Sequence, residues 1–230
     1  MKSKLLFLHG AGCTSRVFDA QTRAFDGSIA LELPGHGVPG SPETVGEFAD
    51  FVSTFCEERA LRNVVLVGSS MGGAIALQLA IRGPEWIRGV ALIGSGAKLR
   101  VSPQIFEAIE SDFTAAGAML ASWFFAEPTP RLLADAIAGM QAVGAAQTSR
   151  DFRACNAFDV TPELSRIQVP LVSLTGERDV MVPPKFGALV ADRVPGASAR
   201  ILPRAGHLAM VERPGDTNEA LRTFVTQIES

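Results

Sequence analysis

At 230 residues, 47% hydrophobic and 20% charged, the chain is long enough to form one domain with a substantial buried core. Its formal net charge of −3 is scattered. No basic run is suited to nucleic acid or an acidic membrane surface, and no apolar run approaches the roughly 18 residues that cross a bilayer. Cys13, Cys56 and Cys155 are odd in number and widely spaced. They form neither a disulfide framework nor a metal-ligand pattern, which reads as a reduced, cytoplasmic chain.

The opening Met1-Lys2-Ser3-Lys4 followed by Leu5 to Leu8 has the charge order of a secretory signal. Its apolar core falls short of the roughly 7–15 residues such a signal needs, so it reads as a first strand, ending in His9-Gly10-Ala11-Gly12. Ile29 to Leu33 is a second strand, closed by Pro34-Gly35-His36-Gly37. Thr44 to Arg59 is the clearest helix. Val45, Phe48, Ala49, Val52, Phe55 and Cys56 share one face, and Thr44 with Glu47 forms a capping box. Val64 to Val67 reads as a buried strand and Ala74 to Ala80 as the helix after it, stopped by Gly83-Pro84. Val90 to Ile93 is a fourth strand, ending in Gly94-Ser95-Gly96.

From about Ala97 to Arg166 the alternation stops. Segments 103–126 and 130–147 read as helices separated by Pro128 and Pro130, with Trp123-Phe124-Phe125 near the middle. Alternation resumes with a strand at Val169 to Thr175, a helix at Pro184 to Arg193, a strand at Ala199 to Leu202 and a helix from Pro214 to Ile228. The pattern predicts an α/β fold with a parallel sheet, its core drawn from residues 1–96 and 167–230. Residues 97–166 are expected to form a mainly helical insertion.

Chemistry concentrates at Gly68-Ser69-Ser70-Met71-Gly72. A strand that turns sharply into a helix through two glycines presents its central side chain, here Ser70, at the tip of the turn. Serine is a poor nucleophile at neutral pH and needs a base. Of the three histidines, His9 and His36 lie in the first two glycine loops, and only His207 follows an acid candidate in the order Ser, Asp or Glu, His. That acid is Asp179, with Glu177 as the alternative. Ser69 and Ser95 are the alternative nucleophiles. Taken singly, these are ordinary turn residues. What favours a triad is their joint occurrence in this order, each after its own strand. An oxyanion needs two donors, and the backbone N–H groups of Met71 and of Ala11, in the first glycine loop, are placed to supply them. Cys13 beside that loop reads as a small apolar filler.

These residues resemble the α/β-hydrolase family, in its cap-bearing branch, over nearly the whole chain. The resemblance rests on His9-Gly10-Ala11-Gly12, Glu32-Leu33-Pro34-Gly35-His36-Gly37, Gly68-Ser69-Ser70-Met71-Gly72-Gly73, Gly176-Glu177-Arg178-Asp179 with Val182-Pro183, and Gly206-His207 with Glu212-Arg213-Pro214. It implies Ser70 as nucleophile, Asp179 as acid, His207 as base, the N–H groups of Ala11 and Met71 as oxyanion hole, a structural His36 and an insertion that serves as lid. The chain begins at what corresponds to the family's third strand. The sheet is therefore expected to have about six strands, nearly all parallel, without a leading hairpin.

The leading expectation for function is a serine carboxylesterase acting on a small apolar ester through an acyl-serine, with no metal or organic cofactor. Met119, Trp123 and Phe124 either line its pocket or pack the lid on the sheet. Relatives with the same elbow that cleave carbon–carbon bonds of ring-cleavage products usually carry Trp after the catalytic His, where this chain has Leu208. That counts against this second reading. A third is a small-molecule receptor with a slow triad. A small-molecule substrate is the one partner expected, with no nucleic acid or membrane, for a monomer or homodimer.

Overall fold

The computed structural model describes residues 2–230. The leucine-rich and β-branched runs form strands β1 (Lys4–Leu8), β2 (Ile29–Leu31), β3 (Val64–Ser69), β4 (Ile87–Ile93), β5 (Leu171–Gly176) and β6 (Ser198–Leu202). They make one sheet in the order β2-β1-β3-β4-β5-β6, and every neighbouring pair is parallel. Each residue of β3 and β5 is buried, the mark of parallel strands covered on both faces.

Helices α1 (Asp19–Ala24), α2 (Val45–Glu58) and α3 (Met71–Arg82) interleave with the first strands. The capping box of α2 is present, with the Thr44 side chain accepting from the Glu47 N–H. Helices α2 and α3 pack together, and α3 lies on β1, β3 and β4. Between β4 and β5 come α4 (Pro103–Ser111), α5 (Phe113–Phe124), α6 (Pro130–Val143) and α7 (Ala145–Ala157). Each packs on the next, and α4 closes back on α7. The chain ends with α8 (Pro184–Arg193) on β5 and β6, a single turn α9 (Ala209–Glu212), and α10 (Pro214–Glu229), which packs on α1, β4 and β5. No described helix is long and apolar enough to cross a membrane.

Several expectations require correction. The strand at Ile29 to Leu33 ends at Leu31, because the Leu33 N–H donates to His9 Nε2 rather than continuing the ladder. The single helix expected over 103–126 is two. Asp112 leaves the helical region and its carboxylate caps α5, accepting from the N–H groups of Thr114 and Ala115. The helix expected over 130–147 stops at Gly144, whose φ of 86° and ψ of 158° break it. The helix α7 that follows was not foreseen. It has no apolar stripe, because the side chains it buries include Gln147, Thr148, Ser149 and Asp151. A hydrophobic period cannot reveal a helix that buries polar groups. The last turn of the expected insertion, Thr161–Arg166, packs on α3 and α8.

Candidate active site

In a parallel sheet all carboxyl ends lie along one edge, so the loops after β1, β3, β5 and β6 share a rim. At the end of β3 the chain turns into α3 through Ser70, at φ 52° and ψ −115°. This sparsely populated region costs of order 1–3 kcal/mol for a residue with a Cβ. The turn is held from both sides: the Ser70 N–H donates to the Ile93 carbonyl on β4 (3.0 Å), and the Ser70 carbonyl accepts from the N–H groups of Gly73 and Ala74 and from Ser95 Oγ. Its glycines are required by contact. A Cβ on Gly68 would lie 2.2 Å from the Gly72 carbonyl oxygen, and one on Gly72 would lie 2.0 Å from that of Leu8. Ser70 is half-buried. Of its rivals, Ser69 is sealed in the core, and Ser95 is committed to the Ser70 carbonyl.

The loops after β5 and β6 lie side by side because those strands pair. The Glu177 N–H donates to the Leu202 carbonyl and the Arg178 N–H to that of Ala205. A Cβ on Gly176 would lie 2.2 Å from the Gly206 carbonyl oxygen. This close approach brings buried Asp179 and His207 together, with Oδ2 of Asp179 2.9 Å from Nδ1 of His207. The other oxygen, Oδ1, accepts from the N–H groups of Met181 (2.9 Å) and Val182 (2.8 Å). The carboxylate is thus fixed on one side and free to hold the Nδ1–H tautomer on the other. Glu177 is exposed and accepts from the Arg204 N–H, so it does not meet His207.

Ser70 and His207 line the same cavity, of about 580 Å³. Among the described residues no hydrogen bond joins the Ser70 hydroxyl to the His207 ring. In ligand-free enzymes such contacts are often long and tighten around substrate. Gly10 of the first loop lies against the elbow, where a Cβ would be 3.2 Å from that of Ser70. Neither the Ala11 nor the Met71 N–H donates a hydrogen bond among the described residues. The latter opens α3, where an unpaired N–H is the rule.

The cavity wall is mostly apolar and includes Val101, Ile105, Trp123, Phe152, Val182 and Phe186, with Lys98 and Arg100 also on it. Trp123 is thus on the wall. Phe124 is buried with its ring 6.2 Å from that of His207 and faces a second cavity, of about 390 Å³. Met119 lines neither cavity and packs against the core. Phe152, Phe186 and Val101 were missed, because nothing in their local sequence marks them as facing Ser70.

Two carboxylates tie the helical insertion to the rim: Glu212, which the sequence marks only as part of the Glu212-Arg213-Pro214 motif, and Asp151, which it does not mark. Glu212 Oε2 accepts from the N–H groups of Gly206 (2.7 Å) and Ala126 (3.1 Å), and Oε1 from that of Glu127 (2.6 Å). It staples the end of α5 to the His207 loop. Asp151, on α7, is fully buried. Its Oδ2 accepts from the Gly12 N–H (2.9 Å) and lies 2.9 Å from His36 Nε2, while Oδ1 accepts from Gln147 Nε2 (2.8 Å). His36 Nδ1 lies 3.1 Å from the Pro34 carbonyl oxygen. Both ring nitrogens therefore face acceptors, which suits the imidazolium. Burial alone would lower the His36 pKa, but the Asp151 hydrogen bond and charge, with help from Pro34 and Glu32, outweigh it and hold it above 6.5. Cys13 is sealed nearby. Burial, then the charges of Asp151 and Glu32, push its thiol up to about 12, so it stays protonated and unreactive. No cluster of three His, Cys, Asp or Glu suited to a metal ion occurs among the described residues.

Comparison with known proteins agrees with this architecture. The chain is 28% identical over 249 aligned positions to the dihydrolipoyllysine-residue acetyltransferase component of the acetoin cleaving system of Cupriavidus necator. That match covers 95% of this chain but spans only 62% of the relative's length. It is 26% identical to the pimeloyl-[acyl-carrier protein] methyl ester esterase of Neisseria meningitidis serogroup A, covering 96% of this chain and 76% of that one. A solved thermophilic esterase superposes with a TM-score of 0.88 at 26% identity, over 99% of this chain and 91% of that chain. The family model described as the alpha/beta hydrolase family matches residues 5–220, and the chain belongs to that family.

Proposed function

We propose that this protein is a serine carboxylesterase that cleaves a small, mostly apolar ester through an acyl-serine intermediate. The observation that carries the reading is the buried His207–Asp179 hydrogen bond of 2.9 Å sharing one apolar cavity with a serine held at positive φ. The esterase names borne by two of the similar proteins support the same reaction class.

In this reading the ester's acyl carbonyl sits at Ser70 with its oxygen toward the N–H groups of Ala11 and Met71. His207 Nε2 takes the hydroxyl proton as Ser70 Oγ attacks, and the imidazolium that forms is stabilised by Asp179. Negative charge gathers on the carbonyl oxygen, where two fixed donors in a water-poor site stabilise it. One such donor is worth about 10²–10³ in rate. His207 then protonates the leaving alcohol, and the acyl-serine forms. Water enters, gives a proton to His207 and attacks the acyl carbon. The acid departs as the proton returns to Ser70. Side chains, backbone donors and water account for every proton and electron pair. The insertion acts as a lid, and Trp123 contributes to the wall against which the substrate's apolar part lies.

The test is labelling with a fluorophosphonate beside turnover of p-nitrophenyl butyrate. The protein should label once, at Ser70, and hydrolyse the ester. Ser70→Ala should fold, lose the label and lose turnover. A label on Ser69 or Ser95, or turnover that survives in Ser70→Ala, would overturn the assignment.

A further inference from the structure

Outside the Ser70–Asp179–His207 group, the buried carboxylate among the described residues is Asp151. A carboxylate with no solvent contact is costly to bury unless its oxygens are satisfied and its charge is met. Here both oxygens are used and the charge is met by His36. The partner that bears on chemistry is the Gly12 N–H. Gly12 sits at φ 63° in the turn after β1, next to Ala11. The turn is closed internally by the Cys13 N–H on the Gly10 carbonyl (3.2 Å). From the side of the insertion, Asp151 holds the N–H of the Ala11–Gly12 peptide. Thr148 of α7 and Met140 of α6 lie where a Gly12 Cβ would point, at 3.1 and 3.5 Å. Glycine turns at little steric cost. Without Asp151 this peptide has no partner for its N–H, and the neighbouring Gly10–Ala11 peptide keeps only the anchors on its own carbonyl, the Cys13 N–H and His9 Nδ1 at 3.0 Å, with nothing from the insertion to set its tilt.

We propose that Asp151 is a positioning residue for the oxyanion hole: a carboxylate borne by the helical insertion, paired with His36, fixes the Gly10–Cys13 turn so that the Ala11 N–H is aimed at the substrate oxygen. The insertion is then part of the machinery that stabilises the transition state, and its docking on the sheet and the assembly of the hole are one event. This rests on the Ser70 and Ala11 reading above.

The experiment compares Asp151→Ala and Asp151→Asn with the parent chain in three measurements. These are kcat and KM on p-nitrophenyl butyrate, inhibition by an aryl trifluoromethyl ketone, and circular dichroism to check folding. The ketone adds to the serine and places an oxyanion in the hole, whereas KM reports the ground state. In Asp151→Ala kcat should fall by about 10- to 100-fold, less than the full loss of a donor. KM should stay within about twofold, and ketone inhibition should weaken by the same factor as kcat. Asp151→Asn keeps an oxygen for the Gly12 N–H and should recover most of both. If Asp151→Ala does not fold, the paired variant Asp151→Ala/His36→Leu, which strands no charge, carries the same readings. A folded variant with kcat and ketone inhibition unchanged overturns the proposal, as does one that loses kcat without weakening the ketone. Labelling of the parent at Ser70 separates the two layers: a labelled parent with an indifferent Asp151 sinks only this inference, and an unlabelled parent sinks the reading beneath it.

Discussion

At the scale of single residues, the rim is built by contacts that leave little latitude. Asp179 is bound through both oxygens, and exchanging it for a neutral amide removes the acceptor that holds His207 Nδ1–H. Asp179→Asn should therefore lower kcat by about 10⁴, the loss seen where the wrong imidazole tautomer is imposed, while unfolding midpoints in urea move little. Steady-state kinetics beside a urea titration measures both. Gly72 is fixed for a different reason. A methyl group there would meet the Leu8 carbonyl oxygen at 2.0 Å, so Gly72→Ala must push β1 and α3 apart. It should cost about 1–3 kcal/mol or more of stability and displace the elbow, with labelling of Ser70 slowed in proportion to the folded fraction or beyond it. The glycine frame around Ser70 was legible in the sequence because the turn admits no Cβ at Gly68 or Gly72, and Asp179 and His207 were legible as candidates because each follows its own strand, in that order. The lining residues Phe152, Phe186 and Val101 were not, since facing the cavity depends on which way α7, α8 and the loop after β4 are turned.

At the scale of elements, the strands and the helices α2, α3, α8 and α10 could be read from periodicity. The insertion could be read only as helical. Helix α5 begins where Asp112 caps it, and α7 is invisible to a hydrophobic period because it buries polar side chains. The junction between α5 and the His207 loop is held by Glu212, which accepts three backbone N–H groups. A Cβ on Gly206 would lie 2.7 Å from the Ala126 nitrogen, so the two segments touch at the backbone. Glu212→Ala strands three donors. It should cost at least about 1.5–3 kcal/mol, the range for a single hydrogen bond to a charged group, and amide exchange should accelerate at Gly206, Ala126 and Glu127 before the strands respond. Hydrogen exchange read by mass spectrometry would locate the change; uniform acceleration across β3 and β4 would contradict this account.

At the scale of the whole molecule, the buried His36–Asp151 pair links the loop after β2 to the insertion, and this makes stability depend on pH. The charges and polar groups around His36 are Asp151, Glu32, the Pro34 carbonyl and the His9 ring, whose centroid lies 4.6 Å away. Because the folded-state pKa of His36 is raised above 6.5, its contribution to stability is present in full below that value and is lost as pH rises through the raised one. Melting temperature should therefore decline from about pH 6.5 upward in the parent chain, and the decline should flatten in Asp151→Asn. Thermal melts at intervals of half a unit on both proteins would check it, and identical slopes would remove His36 as the cause.

The sequence by itself determined the parallel α/β scaffold, the strained turn at Ser70 and the chain order in which Asp179 and His207 follow it. All of these follow from patterns within a few residues or from the succession of elements. Tertiary structure alone decided that Met119 stays off the cavity, that Phe124 faces a second one, and that Asp151 reaches back across 139 positions to Gly12. The reason is range: turn and periodicity rules act between near neighbours. Which buried carboxylate meets which donor depends on how the insertion settles on the sheet, a contact to which no local pattern corresponds.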